Sequence, residues 1–139
     1  MRLAAEHTHA RHHIGELLLA ALPSELGAAR AFAERVGVAF GLDGDDCYDF
    51  TYAVNEAVTN AIRHGAPDRH GRIHLSFRAS ASRLTIAVRD YGTFVMPVAR
   101  SDARSEHGRG FPLMARLTDA VRVRVEPGRT TVYLSKARA

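Results

Sequence analysis

A carboxylate and a carboxamide lie one helical turn apart in DFTYAVNEAVTNAIRHG, the stretch from Asp49 to Gly65. Its apolar residues recur at the i, i+3, i+4 and i+7 spacing of a helix with one buried face. Glu56 and Asn60 are four residues apart on the flank of this face, so their side chains point the same way. A hard cation or a substrate hydroxyl could meet both groups. Taken alone, such a pair is also typical of a solvated helix surface.

A second carboxylate, Asp90, continues the buried positions of a predicted strand. In RLTIAVRD (83–90), Leu84, Ile86 and Val88 alternate with polar residues, and Asp90 has the same parity as the apolar set. A buried carboxylate is costly unless hydrogen-bond donors surround it. Either Asp90 has such donors, or the strand has already ended and the parity is accidental.

A glycine-rich tripeptide could bind an anion. Gly108, Arg109 and Gly110 precede residues 111–118, where helical spacing resumes. Glycines that open a helix let backbone N–H groups converge on an anion, which the positive end of the helix also attracts. Glycines before helices are common, so this signal is weak on its own.

The segment before that tripeptide has the composition of a lid. It covers about residues 95–107, is polar, carries arginines and shows no periodicity. Gly92 on one side and Gly108 on the other would serve as hinges. We therefore predict a mobile lid between the element that ends at Asp90 and the element that follows Gly110.

The remaining pattern predicts one domain over residues 13–136, after a flexible arm at residues 1–12. In the last strand, Thr130 shares the parity of the apolar residues, so it should point into the covered face with Asp90; in the strand before it, Val125 is expected to point inward too. The predicted strands cover residues 13–21, 72–79, 83–90, 121–125 and 130–136, and the predicted helices are one capped by Ser24, the central helix after a turn at 41–46, and one at 111–118.

Composition excludes several classes of protein. No stretch approaches the roughly 20 apolar residues of a membrane span, and no secretory signal is evident, so we expect a cytoplasmic protein without a membrane partner. Cys47 is the single cysteine, which excludes a disulfide framework and a cysteine metal cluster.

The charge is unevenly distributed. Residues 1–60 hold 4 basic and 9 acidic residues (net −5), whereas residues 61–139 hold 15 and 6 (net +9), so the second half would face an anion. The arginines are spread over the outward faces of the strands and are not clustered with aromatic residues. We therefore expect no direct contact with nucleic acid; the outward arginines form either a solvated face or a docking surface for an acidic partner.

The ordered motifs resemble those of the GHKL ATPase superfamily (the Bergerat ATP-binding fold), and within it the small anti-sigma-factor serine/threonine kinases of the RsbW and SpoIIAB type. The resemblance covers about residues 13–136 and rests on NEAVTNAIRHG, VRDYGTF and HGRGFPLMARLTDAV. It implies an α/β (α+β) two-layer sandwich, with a mixed, mostly antiparallel five-stranded sheet covered on one face by three helices. Phe94 departs from the D-x-G-x-G of many relatives, a change that the anti-sigma branch tolerates.

The resemblance implies a role for each motif residue. Asp90 would accept a hydrogen bond from the adenine amino group, Gly92 would let the backbone approach the ring, and Thr130 would support Asp90 and a bridging water. Asn60 would hold Mg²⁺ together with the phosphate oxygens of ATP. Glu56 would be the catalytic base that takes the proton from the attacking hydroxyl.

Other implied roles concern the phosphates and the partners. Gly108, Arg109 and Gly110 would close on the phosphates, Arg63 stays open, and His64 is expected to be half-buried and hydrogen-bonded. A homodimer, a sigma factor that it sequesters, and an anti-sigma-factor antagonist of the STAS type that it phosphorylates are the implied partners.

Two rival functions stay open from the sequence. A nucleotide-gated binding module without kinase turnover would bind ATP and have no need of Glu56. A stand-alone histidine-kinase-like ATPase domain would instead serve another chain.

Overall fold

The computed structural model describes residues 13–92 and 106–138, with the backbone alone for residues 13–14 and 106–110. The predicted arm at 1–12 and most of the predicted lid therefore lie outside the described residues. The elements are β1 (His13–Ala20), a short 3-10 turn (Pro23–Glu25), α1 (Leu26–Phe40), α2 (Gly44–His64), β2 (Arg72–Ala79), β3 (Arg83–Asp90), α3 (Glu106–Leu117), β4 (Ala120–Glu126) and β5 (Arg129–Ala137).

The five strands form one sheet in the order β1-β2-β3-β5-β4. Each of the four neighbouring pairs is antiparallel, so the sheet of the described chain contains none of the parallel pairing that a mixed sheet would have. Alternating strand residues pack with apolar residues of the three helices in one core. The predicted two-layer fold is confirmed, because one face is covered by helices and the other carries the outward arginines.

The central helix begins earlier than predicted. Residues 44–46 are helical, because the Asp43 side chain caps the helix by accepting a hydrogen bond from the backbone N–H of Asp46 at 2.8 Å. The expected cap of α1 by Ser24 is wrong: Ser24 lies within the 3-10 turn, and Glu25 precedes α1 without a side-chain capping bond. Because Ser24 is inside the 3-10 turn, it is not the residue that immediately precedes α1 and does not cap it.

Two further boundaries differ from the prediction. α3 starts at Glu106 rather than Phe111, so Pro112 lies inside the helix and Gly108–Gly110 are already helical. The preference of proline for a first turn explains the wrong estimate of the helix start. Val125 was predicted to point into the core, but it is 46% exposed, because it lies near the end of the edge strand β4.

No helix within the described ranges is long and apolar enough to cross a membrane.

Candidate functional site

A pocket lies where α2 and α3 meet the ends of β3 and β5. It brings together three predicted site residues, Asn60, Asp90 and Thr130, which are far apart in the sequence. Its walls are mostly apolar, and the lining residues are Ala57, Asn60, Ala61, His64, Gly65, Val88, Asp90, Phe111, Thr130 and Val132. Few converging polar groups in an apolar concave surface are typical of a small-molecule site.

Asp90 is the buried polar group of this pocket. Only 7% of its surface is exposed, and its Oδ1 atom accepts hydrogen bonds from the backbone N–H of Gly92 (2.9 Å) and of Ala66 (3.4 Å). Burial raises the pKa of Asp90, and the two backbone donors partly oppose this rise. Among the described residues both bonds end on Oδ1, so Oδ2 is available to a donor on a ligand.

Two glycines allow the chain to close around this carboxylate. A Cβ atom at Gly65 would lie 2.6 Å from both oxygens of Asp90, which no side chain tolerates without a shift. A Cβ atom at Gly92 would lie 3.1 Å from the Ala66 nitrogen and 3.3 Å from Asp90 Oδ1. The end of α2 and the end of β3 therefore approach each other only because both positions lack a side chain.

Thr130 lies directly beside Asp90 in the sheet. The two residues are cross-strand partners in the β3–β5 pairing, and Thr130 is 4% exposed. Its Oγ1 atom is buried without a hydrogen-bond partner in the described part of the chain, so the expected support of Asp90 is not a direct bond. A buried polar atom of this kind needs a water or a ligand group.

Asn60 and Glu56 occupy the flank of α2 as predicted, but in different positions relative to the pocket. Asn60 lines it, and its buried Nδ2 atom also has no partner among the described residues. Rotation of the amide group by 180° exchanges its nitrogen and oxygen atoms, so it would place the oxygen at this position. Glu56 is half-buried and lies one turn earlier, outside the lining residues.

The Asn60 side chain fits a weakly held Mg²⁺ ion. An amide oxygen is a hard ligand of the kind that Mg²⁺ prefers, and the ion keeps several waters and takes its other ligands from phosphates. No group of three histidines, cysteines or carboxylates that could hold a metal occurs in the part of the chain that the structure describes. Among the described residues, the pocket thus offers Asn60 as an amide ligand, which suits an ion that takes its other ligands from a bound molecule.

The glycine tripeptide and His64 differ from their predictions. Gly108, Arg109 and Gly110 belong to the first turns of α3, so the helix does not open after them; their side chains lie outside the described residues. His64 was expected to be half-buried, whereas it is exposed while it lines the pocket, because it stands at the last turn of α2.

Gly65 and Ala66 are site residues that the sequence motifs did not predict. Gly65 was interpreted only as the end of a helix, which is the usual role of a glycine there. Its second role depends on the tertiary approach of Asp90, 25 residues later, and no local pattern indicates that approach. The ordered motif NEAVTNAIRHG, which ends at Gly65, was the one available signal.

Comparison with known proteins agrees with this geometry. Residues 19–136 match the histidine kinase-like ATPase domain. The serine-protein kinase RsbW of Bacillus licheniformis is 32% identical over 134 residues, which cover 87% of this chain and 83% of that protein, and RsbW of Bacillus subtilis (strain 168) gives the same values. The anti-sigma F factor of Thermoanaerobacter sp. (strain X514) is 32% identical over 114 residues, covering 73% of this chain and 80% of that protein.

A solved structure has a similar fold. The crystal structure of the RsbU and RsbW domains of a Mycobacterium tuberculosis protein matches 90% of this chain with a TM-score of 0.68 and 19% identity. The match spans 32% of that longer chain. At this identity the likeness concerns the fold alone.

Proposed function

Because the chain belongs to the histidine kinase-like ATPase domain family, as its motifs predict, we propose that it is an ATP-binding anti-sigma factor and serine/threonine kinase. It phosphorylates an anti-sigma-factor antagonist and sequesters a sigma factor. The observation that carries this proposal is Asp90, a carboxylate buried in an apolar pocket beside polar atoms of Asn60 and Thr130 that have no hydrogen-bond partner in the described part of the chain. The relatives named serine-protein kinase and anti-sigma F factor support it.

Adenine fits the end of the pocket around Asp90. The amino group of adenine donates hydrogen bonds, and Asp90 presents Oδ2 as an acceptor while Oδ1 is held by the backbone. Val88, Val132 and Ala61 supply apolar surface for the ring. A water at Thr130 Oγ1 would satisfy this orphan hydroxyl and link it to the base.

The phosphates then extend along α2 toward Asn60. Mg²⁺ would be held by the Asn60 amide oxygen and would neutralise charge on the phosphates during transfer. Gly108, Arg109 and Gly110 at the start of α3 are the proposed phosphate-closing residues, since the positive end of a helix favours an anion.

Glu56 is the proposed catalytic base. The oxygen of the antagonist's serine or threonine hydroxyl attacks the γ-phosphorus, ADP leaves with the bridging oxygen, and the hydroxyl proton moves to the Glu56 carboxylate. Glu56 lies one turn before Asn60 on the same flank of α2, where a protein substrate can reach it. The resemblance implies a homodimer, which would present two such sites.

One observation favours a second candidate, a nucleotide-gated binding module without turnover. Glu56 does not line the pocket that holds Asn60 and Asp90. If the antagonist does not bring its hydroxyl to Glu56, the protein binds ATP and a sigma factor and transfers no phosphate.

Substitution of Glu56 separates the two candidates. Glu56→Gln keeps the shape of the side chain and removes its basicity, so we expect phosphorylation of an antagonist encoded beside the protein to fall by about 10²–10⁴-fold with ATP affinity unchanged. The measurement is transfer of radiolabelled phosphate, with Glu34→Gln on the exposed surface of α1 as the matched control. Transfer by Glu56→Gln at the wild-type rate would remove the base assignment. Absence of transfer by the wild-type protein to any neighbouring antagonist would favour the binding module.

A further inference from the structure

A hydrogen-bonded chain of three side chains lies on the face of the sheet opposite the helices. The Tyr91 hydroxyl is 2.8 Å from Nδ1 of His74, and Nε2 of His74 is 2.8 Å from Oδ2 of Asp68. The rings of His74 and Tyr91 also meet edge to face, with centroids 4.9 Å apart. No role of the motif residues described above uses these three side chains.

Asp68 is the fixed end of this chain. Its Oδ1 atom accepts hydrogen bonds from the backbone N–H of His70 (2.8 Å) and of Arg72 (2.9 Å). Its own backbone N–H donates to the carbonyl of Arg72 at 2.8 Å, so the whole residue is tied to the start of β2. The hydrogen bond from His74 and then these backbone donors hold the pKa of Asp68 well below its usual range. Because an ionised carboxylate only accepts hydrogen bonds, Nε2 of His74 donates to Asp68, and the Tyr91 hydroxyl pairs with Nδ1 of His74.

Tyr91 is the end of the hydrogen-bonded chain that lies next to the pocket residues in the sequence. It stands between Asp90, which lines the pocket, and Gly92, whose N–H donates to the Asp90 carboxylate. Its backbone N–H donates to the carbonyl of Ala66 at 2.7 Å, while the N–H of Ala66 in turn bonds Asp90. Strand alternation sends the Tyr91 side chain to the opposite face, next to His74.

The hydrogen-bonded chain of Asp68, His74 and Tyr91, called the brace below, joins two segments that the glycines alone would hold loosely. The segment 65–68 and the segment 90–92 meet at Gly65, where an added Cβ atom would collide with Asp90, and at Gly92, where it would be tightly packed. Glycines permit this approach but provide no packing that would hold it, and they leave the backbone freer than any other residue. The chain from Asp68 through His74 to Tyr91 joins the same two segments a second time, from the far side of the sheet.

We propose that Asp68, His74 and Tyr91 are positioning residues that fix the Asp90 carboxylate for adenine recognition. None of the three touches the ligand; they act through the backbone of residues 65–66 and 90–92. The inference rests on the proposed nucleotide site, because it assigns the base that Asp90 recognises.

The test removes one hydroxyl. Tyr91→Phe keeps the ring and its contact with His74, and we expect the affinity for ADP to fall by about 3–10-fold, the effect of one lost hydrogen bond. Tyr133→Phe is the matched control, because Tyr133 lies on the same open face, where its ring contacts Arg122; we expect it to bind ADP as the wild type does. Asp68→Asn tests the other end of the brace. The amide can present a donor to His74 and so reverse or break the hydrogen bond between them.

The decisive readout is the ratio of the dissociation constants for GDP and ADP, from calorimetry well below the melting temperature. Guanine offers an oxygen where adenine offers the amino group, so a loosened Asp90 lowers this ratio, whereas general destabilisation does not. A lower ratio in Tyr91→Phe and Asp68→Asn supports the brace. An unchanged ratio, or an ADP affinity of Tyr91→Phe equal to that of Tyr133→Phe, overturns it. Asp90→Asn is measured in parallel: if it leaves the ADP affinity unchanged, the nucleotide site itself is wrong, whereas failure of Tyr91→Phe alone removes only the brace.

Discussion

The two ends of the pocket differ in what holds their polar groups. The base end, formed by Gly65, Asp90 and Gly92, is held by backbone hydrogen bonds to Asp90, and at Gly65 the chain approaches Asp90 too closely for a side chain. The helix end is formed by Asn60 on α2, whose buried Nδ2 atom has no hydrogen-bond partner among the described residues. We therefore propose that the base end is formed before the nucleotide binds, whereas the helix end is completed by groups of the bound nucleotide and its metal ion.

This difference predicts that substitutions at the base end act on nucleotide affinity with or without metal. Asp90→Asn replaces an acceptor with a group that can present a donor to the adenine amino group. We expect the binding free energy of ATP to weaken by about 1.5–3 kcal/mol, the scale of a hydrogen bond to a charged group. Calorimetry with and without Mg²⁺ measures it, and unchanged affinity would remove Asp90 from the site.

Gly65→Ala tests the close approach itself. The added Cβ would lie 2.6 Å from both oxygens of Asp90, so the carboxylate or the chain end must move, at a cost of about 1–3 kcal/mol in stability and with a similar loss of ATP affinity. Thermal unfolding and calorimetry give both quantities. Gly44→Ala is the control, because a Cβ at Gly44 meets no atom within 4 Å. Equal effects of the two substitutions would show that the base end is not built by close contact.

Asn60→Ala sharpens the contrast from the helix end. It removes the one amide ligand that the pocket offers to Mg²⁺, so we expect about a tenfold loss of ATP affinity in the presence of Mg²⁺ and little change without it, as second-sphere and ligand substitutions typically cost tenfold or more. Affinity measured over a series of Mg²⁺ concentrations provides the readout. An equal loss in EDTA would place Asn60 on the nucleotide instead of the metal.

The sequence predicted the residues of both ends better than the contacts between them. Strand parity left open whether Asp90 is buried or follows the end of its strand, and the structure shows it buried as the last residue of β3. Asn60 was expected on the flank of α2 from helical spacing. Gly65 was missed because its constraint comes from a residue 25 positions later. The start of α3 was predicted too late, because Pro112 was expected in the first turn of the helix. The hydrogen bonds among Asp68, His74 and Tyr91 join separate parts of the sequence that no periodicity connects.

The pH dependence is the smallest expected effect, and its sign separates binding from folding at the base end. Burial raises the pKa of Asp90 in the folded protein. The ionised carboxylate accepts the adenine amino group, so ATP affinity should fall as pH decreases through this raised pKa, by about twofold where half of the carboxylates are protonated. The stability contribution has the opposite sign: because the folded pKa lies above the unfolded value, it is fully present below the unfolded pKa and is lost as pH rises through the folded pKa. Acidification should therefore weaken ATP binding while the Asp90 contribution to the free energy of unfolding increases. The Asp90→Asn variant has no titrating group at position 90, so it should lack the part of both trends that comes from this residue. The same pH profile in both proteins would assign the titration to another residue.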